Sequence, residues 1–162
     1  MKISKNITTV FSFIIVIIIL VLPFIFHKGN SDIGQNTQIA TSTILFDRPM
    51  VIGKHVIDIS IADTPAKREK GLSGTPPLGP KQGMLFVFDT PTRPYFWMKD
   101  MNYPLDMIWV DQDKKIVSVN ENIDPRTFPF SFSPRVPIQY VLEVQAGFYK
   151  FNNLNVGDKI LF

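Results

Sequence analysis

There is no cysteine anywhere in the 162 residues. That removes disulfides, thiolate metal sites, a cysteine nucleophile and a lipid-modified cysteine anchor together. Histidine is nearly as scarce. His27 and His55 are the only two, too few for a histidine-rich metal centre and poor material for a Ser-His-Asp triad. No phosphate-binding glycine loop, GxGxxG, GxSxG or HExxH occurs. Excess charge is missing too. The formal +3 is carried by Lys2, Lys5 and Lys28; residues 29–162 hold 14 Lys+Arg against 14 Asp+Glu. A balanced domain has no electrostatic reason to bind nucleic acid.

What the chain does have begins with an oily run. Residues 10–26 read VFSFIIVIIILVLPFIF, seventeen positions without a charge. As a helix they would span ~26 Å, slightly short of a ~30 Å hydrocarbon core, and residues 7–9 would add most of a turn. Lys2 and Lys5 precede the run, so the positive-inside bias expects residues 1–9 in the cytoplasm and the rest of the chain outside. A signal peptide would have a shorter apolar region and a small-x-small cleavage site, and Phe24-Ile25-Phe26-His27-Lys28 offers none. The expectation is a single-pass membrane anchor over 10–26, whose partner is membrane lipid. Residues 27–43 are mostly small and polar and read as a flexible linker, reaching on the order of 20 Å.

Residues 44–162 read as one domain. His55-Val56-Ile57-Asp58-Ile59-Ser60-Ile61-Ala62 is a β-branched strand pattern. Thr64-Pro65 supplies an N-cap and a first-turn proline, and Gly71 stops the short helix that follows. Met84-Leu85-Phe86-Val87-Phe88 is a continuous apolar run, as in a strand covered on both faces. Residues 95–101 and 105–110 flank Asn102-Tyr103-Pro104, a plausible hairpin. Further strands are expected near 115–119, 139–145 and 159–162. The fold class is mainly β (β-rich α+β): a compact, largely antiparallel sandwich or partly open barrel with one short helix.

From Gly83 onward the motifs turn specific. Gly83-Met84-Leu85-Phe86-Val87-Phe88, Phe96-Trp97-Met98-Lys99 and Pro104-Leu105-Asp106 resemble the DUF192 family, also called UPF0127. Lys67-Arg68-Glu69-Lys70-Gly71-Leu72 resembles its short helix ending in Gly-Leu, Val141-Leu142-Glu143-Val144-Gln145-Ala146-Gly147 its late strand, and Gly157-Asp158 its closing turn. The resemblance runs over residues 48–162. It implies a β-rich fold in a mostly bacterial and archaeal family, often exported or membrane-anchored, and assigns no activity. Asp100 stands where members often carry Asn, which changes the local charge.

Several residues compete for a functional role. In the expected hairpin, pairing Met101 with Leu105 sets Trp97 opposite Trp109, Lys99 opposite Met107 and Asp100 opposite Asp106. Facing carboxylates would need a shared proton or a cation; otherwise the register differs, or Asp106 accepts from turn amides. Calcium would demand more oxygens than any loop here offers. Tyr95, Trp97 and Lys99 alternate onto one strand face as a stacking platform with a cationic tip, unless the tryptophans are core and Lys99 reaches outward. Glu143 sits amid apolar residues, either ion-paired to Lys99 or an arginine, or joined with Asp106 as the paired carboxylates of a glycan hydrolase. Residues 124–137 form a proline-rich loop bearing Phe128, Phe130 and Phe132, fit to cover a cleft, dip into the bilayer or close the sheet. His55 is expected to be a solvated surface residue.

No complete catalytic set is present. The preferred expectation is a membrane-tethered extracytoplasmic domain that binds a small molecule, glycan or envelope protein near Trp97, Lys99, Asp106, Glu143 and Phe130, with no cofactor or metal and no nucleic acid. The alternatives are the hydrolase using Asp106 and Glu143, and a structural accessory of an envelope complex.

Overall fold

A computed structural model describes residues 44–162. The expected anchor at 10–26 and linker at 27–43 lie outside the described residues. Among the described residues no helix is long and apolar enough to cross a membrane.

β1 (Arg48–Ile52) turns at Gly53 into β2 (His55–Ala62), an antiparallel pair. Helix α1 (Pro65–Lys70) follows, as its sequence signals require. The Thr64 hydroxyl accepts from the Lys67 amide, Pro65 opens the first turn, and the Gly71 amide donates to the Lys67 carbonyl. Gly71 sits at φ +46°, where a side chain would be strained, and a Cβ there would meet the Phe86 ring at 3.3 Å.

The chain then returns as β3 (Gln82–Thr92), which runs parallel to β2. It is the one parallel pair in a sheet that is otherwise antiparallel, in keeping with the largely antiparallel arrangement expected. The connection through α1 and residues 71–81 is long enough to be a crossover, which a parallel pair needs and a hairpin does not. β5 (Leu105–Val110), β6 (Ile116–Ile123), β8 (Ile138–Gln145) and β9 (Ile160–Leu161) complete a seven-stranded sheet in the order β6-β5-β8-β3-β2-β1-β9. Its two ends meet. Lys115 bridges Lys159, the Ile116 amide donates to the Asp158 carbonyl and the Ile160 amide to the Lys114 carbonyl. The sheet is therefore a curled half-barrel, the partly open barrel of the two expected architectures.

Side chains alternate across such a sheet. One face gathers residues from all seven strands, among them Ile52, Ile59, Leu85, Ile108, Ile116, Leu142 and Ile160, and forms the core inside the curl. The other face carries Met84, Phe86, Met107, Trp109 and Val141, covered by Leu72, Leu78, Met98 and Tyr103 from the loops. All six residues of β5 are buried, because both faces are covered and both edges are paired, with β6 and β8.

That double pairing overturns the expected central hairpin. With its edges occupied, β5 has no free side for residues 95–101. Those residues form only a two-residue strand, β4 (Phe96–Trp97), paired with β7 (Ser131–Phe132) in a separate ribbon. Phe96 stands edge-on to Phe86, Phe88 and Trp109 at centroid distances of 4.9, 6.5 and 5.6 Å, so the ribbon lies on the outer core. Trp109 is buried and its indole N–H donates to Asn120 Oδ1 at 2.7 Å. It does not face Trp97.

Asp106 is fully buried on the inner side. Its Oδ1 accepts from the amides of Asn122 (2.8 Å) and Gly147 (3.0 Å), and its Oδ2 from the amide of Tyr149 (2.9 Å). One carboxylate thereby ties β5 to the end of β6 and to the turn into α2 (Phe148–Phe151). The turn-amide alternative is the one this geometry realises. Asp106→Ala removes a buried carboxylate and leaves three partly buried N–H groups without their acceptor, and is expected to cost about 3–5 kcal/mol; Asp106→Asn, which points N–H groups at N–H groups, about 2–4 kcal/mol. Urea unfolding of the two variants checks this, and wild-type stability in either would refute the assignment.

Candidate functional site

The face of the sheet outside the curl holds a cleft of about 350 Å³. One wall is the end of α1 with Gly71, Leu72 and Ser73. The opposite wall is the segment from Pro94 to Trp97, with Met101 beside it. Phe86 and Phe88 of β3 and Glu143 of β8 form the base.

Glu143 arrives there by parity. Its partners in register are Met84 on β3 and Met107 on β5, both outer-face residues, while Leu142 and Val144 turn to the inner core. Two methionines thus flank the carboxyl group within the sheet. Glu143 is only 5% exposed. It forms neither of the two ion pairs among the described residues, Lys67–Asp63 and Arg126–Asp124, so the expected partnership with Lys99 or an arginine is absent. Burial, with no compensating donor, pushes its carboxyl up to about 8. Near neutral pH it is mostly a protonated acid facing an aromatic cleft.

The walls are braced. Arg68 Nη1 donates to the carbonyls of Val87 (2.7 Å) and Asp63 (2.9 Å), and its guanidinium lies 5.2 Å from the Phe88 ring centre. Lys70 Nζ donates to the Ser73 carbonyl, Ser73 Oγ to the Lys99 carbonyl, and the Gly74 amide to the Asp100 carbonyl. The Tyr103 hydroxyl pairs with Thr75 Oγ1 at 2.7 Å, and burial, with the Glu143 carboxyl nearby, raises its pKa. Trp97 is 51% exposed and Tyr95 70%. These rings present open faces.

Of the residues singled out from the sequence, Trp97 and Glu143 come together in this cleft. Asp106 does not. It pairs in register with Val144, so it and Glu143 project from opposite faces of the sheet. The facing of Asp100 and Asp106 is not formed either. Asp100 sits in a turn at φ +57°, and no cluster of three or more His, Cys, Asp or Glu suited to a metal exists among the described residues. Lys99 touches the site through its backbone carbonyl, and its side chain is exposed. Phe130 is 76% exposed and off the cleft, whereas Phe132 packs onto the outer core through its pairing with Phe96.

Sequence reasoning missed Arg68, Leu72 and Phe88. Arg68 sits in a short helix among exposed residues, with no sign of a tertiary contact within the helix itself. Its contacts with Val87 and Phe88 cross a long connection, and the only local signal was Leu72 after the Gly71 stop. His55, expected to be solvated, is half-buried, with Nε2 3.0 Å from the Asn152 carbonyl. It borders a wider hollow of about 840 Å³ at the start of β2. Its other polar groups include the exposed Lys54 and Lys81, and no buried group without a partner opens into it.

Fold and cleft define a class: a half-barrel β domain with one acid-floored aromatic pocket outside the curl. The family model for DUF192, described as an uncharacterized group, matches residues 49–162, and the chain belongs to that family. No curated protein matches it. Two solved structures are similar. One is a protein of Sinorhizobium meliloti 1021 proposed to be a transcription regulator, 31% identical, with a TM-score of 0.65 over 70% of this chain and 89% of that one. The other is a protein of unknown function from Novosphingobium aromaticivorans DSM 12444, 29% identical, with a TM-score of 0.67 over 70% of this chain and 84% of that one.

The buried acid leaves a mark on stability. Between about 4.5 and about 8 the folded state holds a proton that the unfolded state has released. Stability therefore falls as pH rises through that window, at a limiting slope of about 1.4 kcal/mol per pH unit, and levels off above it. Glu143→Gln, neutral throughout, is expected to flatten that slope and to be the more stable form at pH 8.5. Denaturant midpoints at pH 5 and pH 8.5 decide it; parallel profiles for the two proteins would refute a buried neutral acid.

Proposed function

We propose that this protein is a membrane-tethered, extracytoplasmic binding domain that holds a small ring-shaped ligand in the cleft between α1 and β4. The convergence of Trp97 and Glu143 on one cleft carries the reading. A half-exposed indole offers a stacking surface, a buried carboxyl offers one directional polar contact, and Phe86, Phe88 and Leu72 supply apolar lining. Few polar groups on a mostly apolar surface is the usual make-up of a small-molecule site. The cleft's size is at the lower end of that range, which favours a single ring or two over an extended polymer.

The hydrolase alternative needs two carboxylates at one bond. Asp106 is spent on three amides on the other face, which leaves Glu143 without a partner acid. Nucleic acid is not among the proposed partners, since the charges of residues 29–162 balance. The tether rests on residues 10–26 and the lysines before them, with residues 1–9 in the cytoplasm.

The two tryptophans make the cleft testable. Trp97 is open to solvent while Trp109 is buried and hydrogen-bonded, so a ligand entering the cleft is expected to change Trp97 emission alone. Titration with a panel of small cyclic amides, sugars and aromatic alcohols should produce at least one saturable response. Trp97→Phe should erase that response, and Trp97→Ala should weaken binding about tenfold, in line with the loss of one stacked ring. A saturable ligand whose affinity is untouched by both changes would place binding elsewhere. For the tether, cell fractionation should find the chain with membranes, and protease added to spheroplasts should digest residues 44–162. A chain recovered wholly in the soluble cytosol would end that part of the proposal.

A further inference from the structure

We infer that the cleft selects an uncharged ring bearing a hydrogen-bond acceptor, a carbonyl or ether oxygen, which takes its bond from the Glu143 carboxyl at the base. This rests on the cleft being a ligand site and goes further by naming the ligand's chemistry and the group that reads it.

Glu143 has an unmet hydrogen bond. Glu143 lies between Met84 and Met107, neither of which can donate, and is 95% removed from solvent. An ionised carboxylate in such a place is costly without donors or a cation, so the protonated form prevails. A protonated carboxyl has one O–H to give. No buried side-chain oxygen or nitrogen among the described residues is both sealed from solvent and unpartnered, so the Glu143 oxygens open into the cleft. A molecule seated against Trp97 is placed to supply the missing acceptor.

The charged groups around the site argue against a charged ligand. From α1 come Arg68, Glu69 and Lys70; from the loop before β5 comes Tyr103, whose hydroxyl is engaged by Thr75; β3 presents no ionisable side chain here, and the one on β5, Asp106, is on the far face. An amine would have to pass Arg68 and Lys70 and then ionise an acid that burial keeps neutral. The ring face of Phe88, a natural cation seat, is already taken by the Arg68 guanidinium. An anion would meet Glu69, and although Arg68 Nη1 and one Lys70 proton are given to the carbonyls of Val87, Asp63 and Ser73, the donors left on these two side chains would hold it on the α1 wall, away from Glu143 at the base. A neutral acceptor avoids both costs.

The test uses three probes of one shape and different charge: benzamide, benzylamine and benzoate. The full chain is purified in detergent with methyl-labelled methionine, and the Met84 and Met107 methyl resonances beside Glu143 report occupancy. At pH 6.5 benzamide should bind at least tenfold more tightly than either ion. Raising the pH to 9 should weaken benzamide about tenfold, since only the protonated fraction of Glu143 is competent to bind. Glu143→Gln keeps a neutral donor and should bind benzamide within about threefold of wild type with no pH dependence. Glu143→Leu, which suits the apolar floor and should fold, should lose at least tenfold. Benzylamine binding most tightly, or benzamide indifferent to both substitutions, overturns the inference. Equal binding of all three also overturns it while leaving the cleft as a ligand site. No response to any probe from either methyl group removes the cleft reading and this inference with it.

Discussion

Three amide hydrogens from two separate segments converge on the Asp106 carboxylate, and its registration decides much of the remaining geometry. A charged group without solvent exposure is tolerable only where donors replace its lost water. Asn122, Gly147 and Tyr149 do this, and in doing so they hold the end of β6 and the turn after β8 against β5. A one-residue slip of β5 would swing Asp106 to the opposite face and leave those amides bare. With the register held, Asp106 pairs with Val144 and Met107 with Glu143, so the next carboxylate along points the other way.

The same two strands therefore carry two buried acids in opposite conditions. Asp106 is saturated with donors and serves the fold. Glu143 has none from the described residues, is flanked by methionine thioethers and opens on a cleft walled by aromatic rings. Burial without compensation costs stability, and such sites commonly carry function. The surrounding loops keep that cleft open by backbone-directed bonds. Arg68, Lys70 and Ser73 each donate to a carbonyl, which pins α1, the Gly71–Ser73 segment and the turn at Lys99 in place before any ligand arrives. A site whose walls are already ordered loses less entropy on binding.

Much of the scaffold was legible along the chain. The Thr64-Pro65 start and Gly71 stop of α1, the bounds of β2, and the apolar strand at residues 84–88 were all readable, since caps and apolar runs act over a few residues. The central hairpin was misread because Asn102-Tyr103-Pro104 is a good turn. What forbids the pairing is competition: β6 and β8 reach the edges of β5 from further along the chain. The parallel pairing of β2 and β3 was hidden for the same reason. At the site, Trp97 and Glu143 were named on composition and strand context, yet their meeting depends on a ribbon formed with residues 131–132. Arg68 and Phe88 went unrecognised because their contact spans the crossover.

Local chemistry, then, settled what local chemistry governs: the family resemblance, the charge balance, the β-rich class, the helix ends and the shortlist of unusual side chains. Those follow from residue identity and short-range periodicity. Tertiary structure decided the partners. It chose which strand edges pair, on which face each carboxylate emerges, and which of the two acids is supplied with donors. Hydrogen-bonded edges can be filled only once, and side chains on neighbouring strand positions must diverge, so these outcomes are properties of the assembled sheet and belong to no single segment.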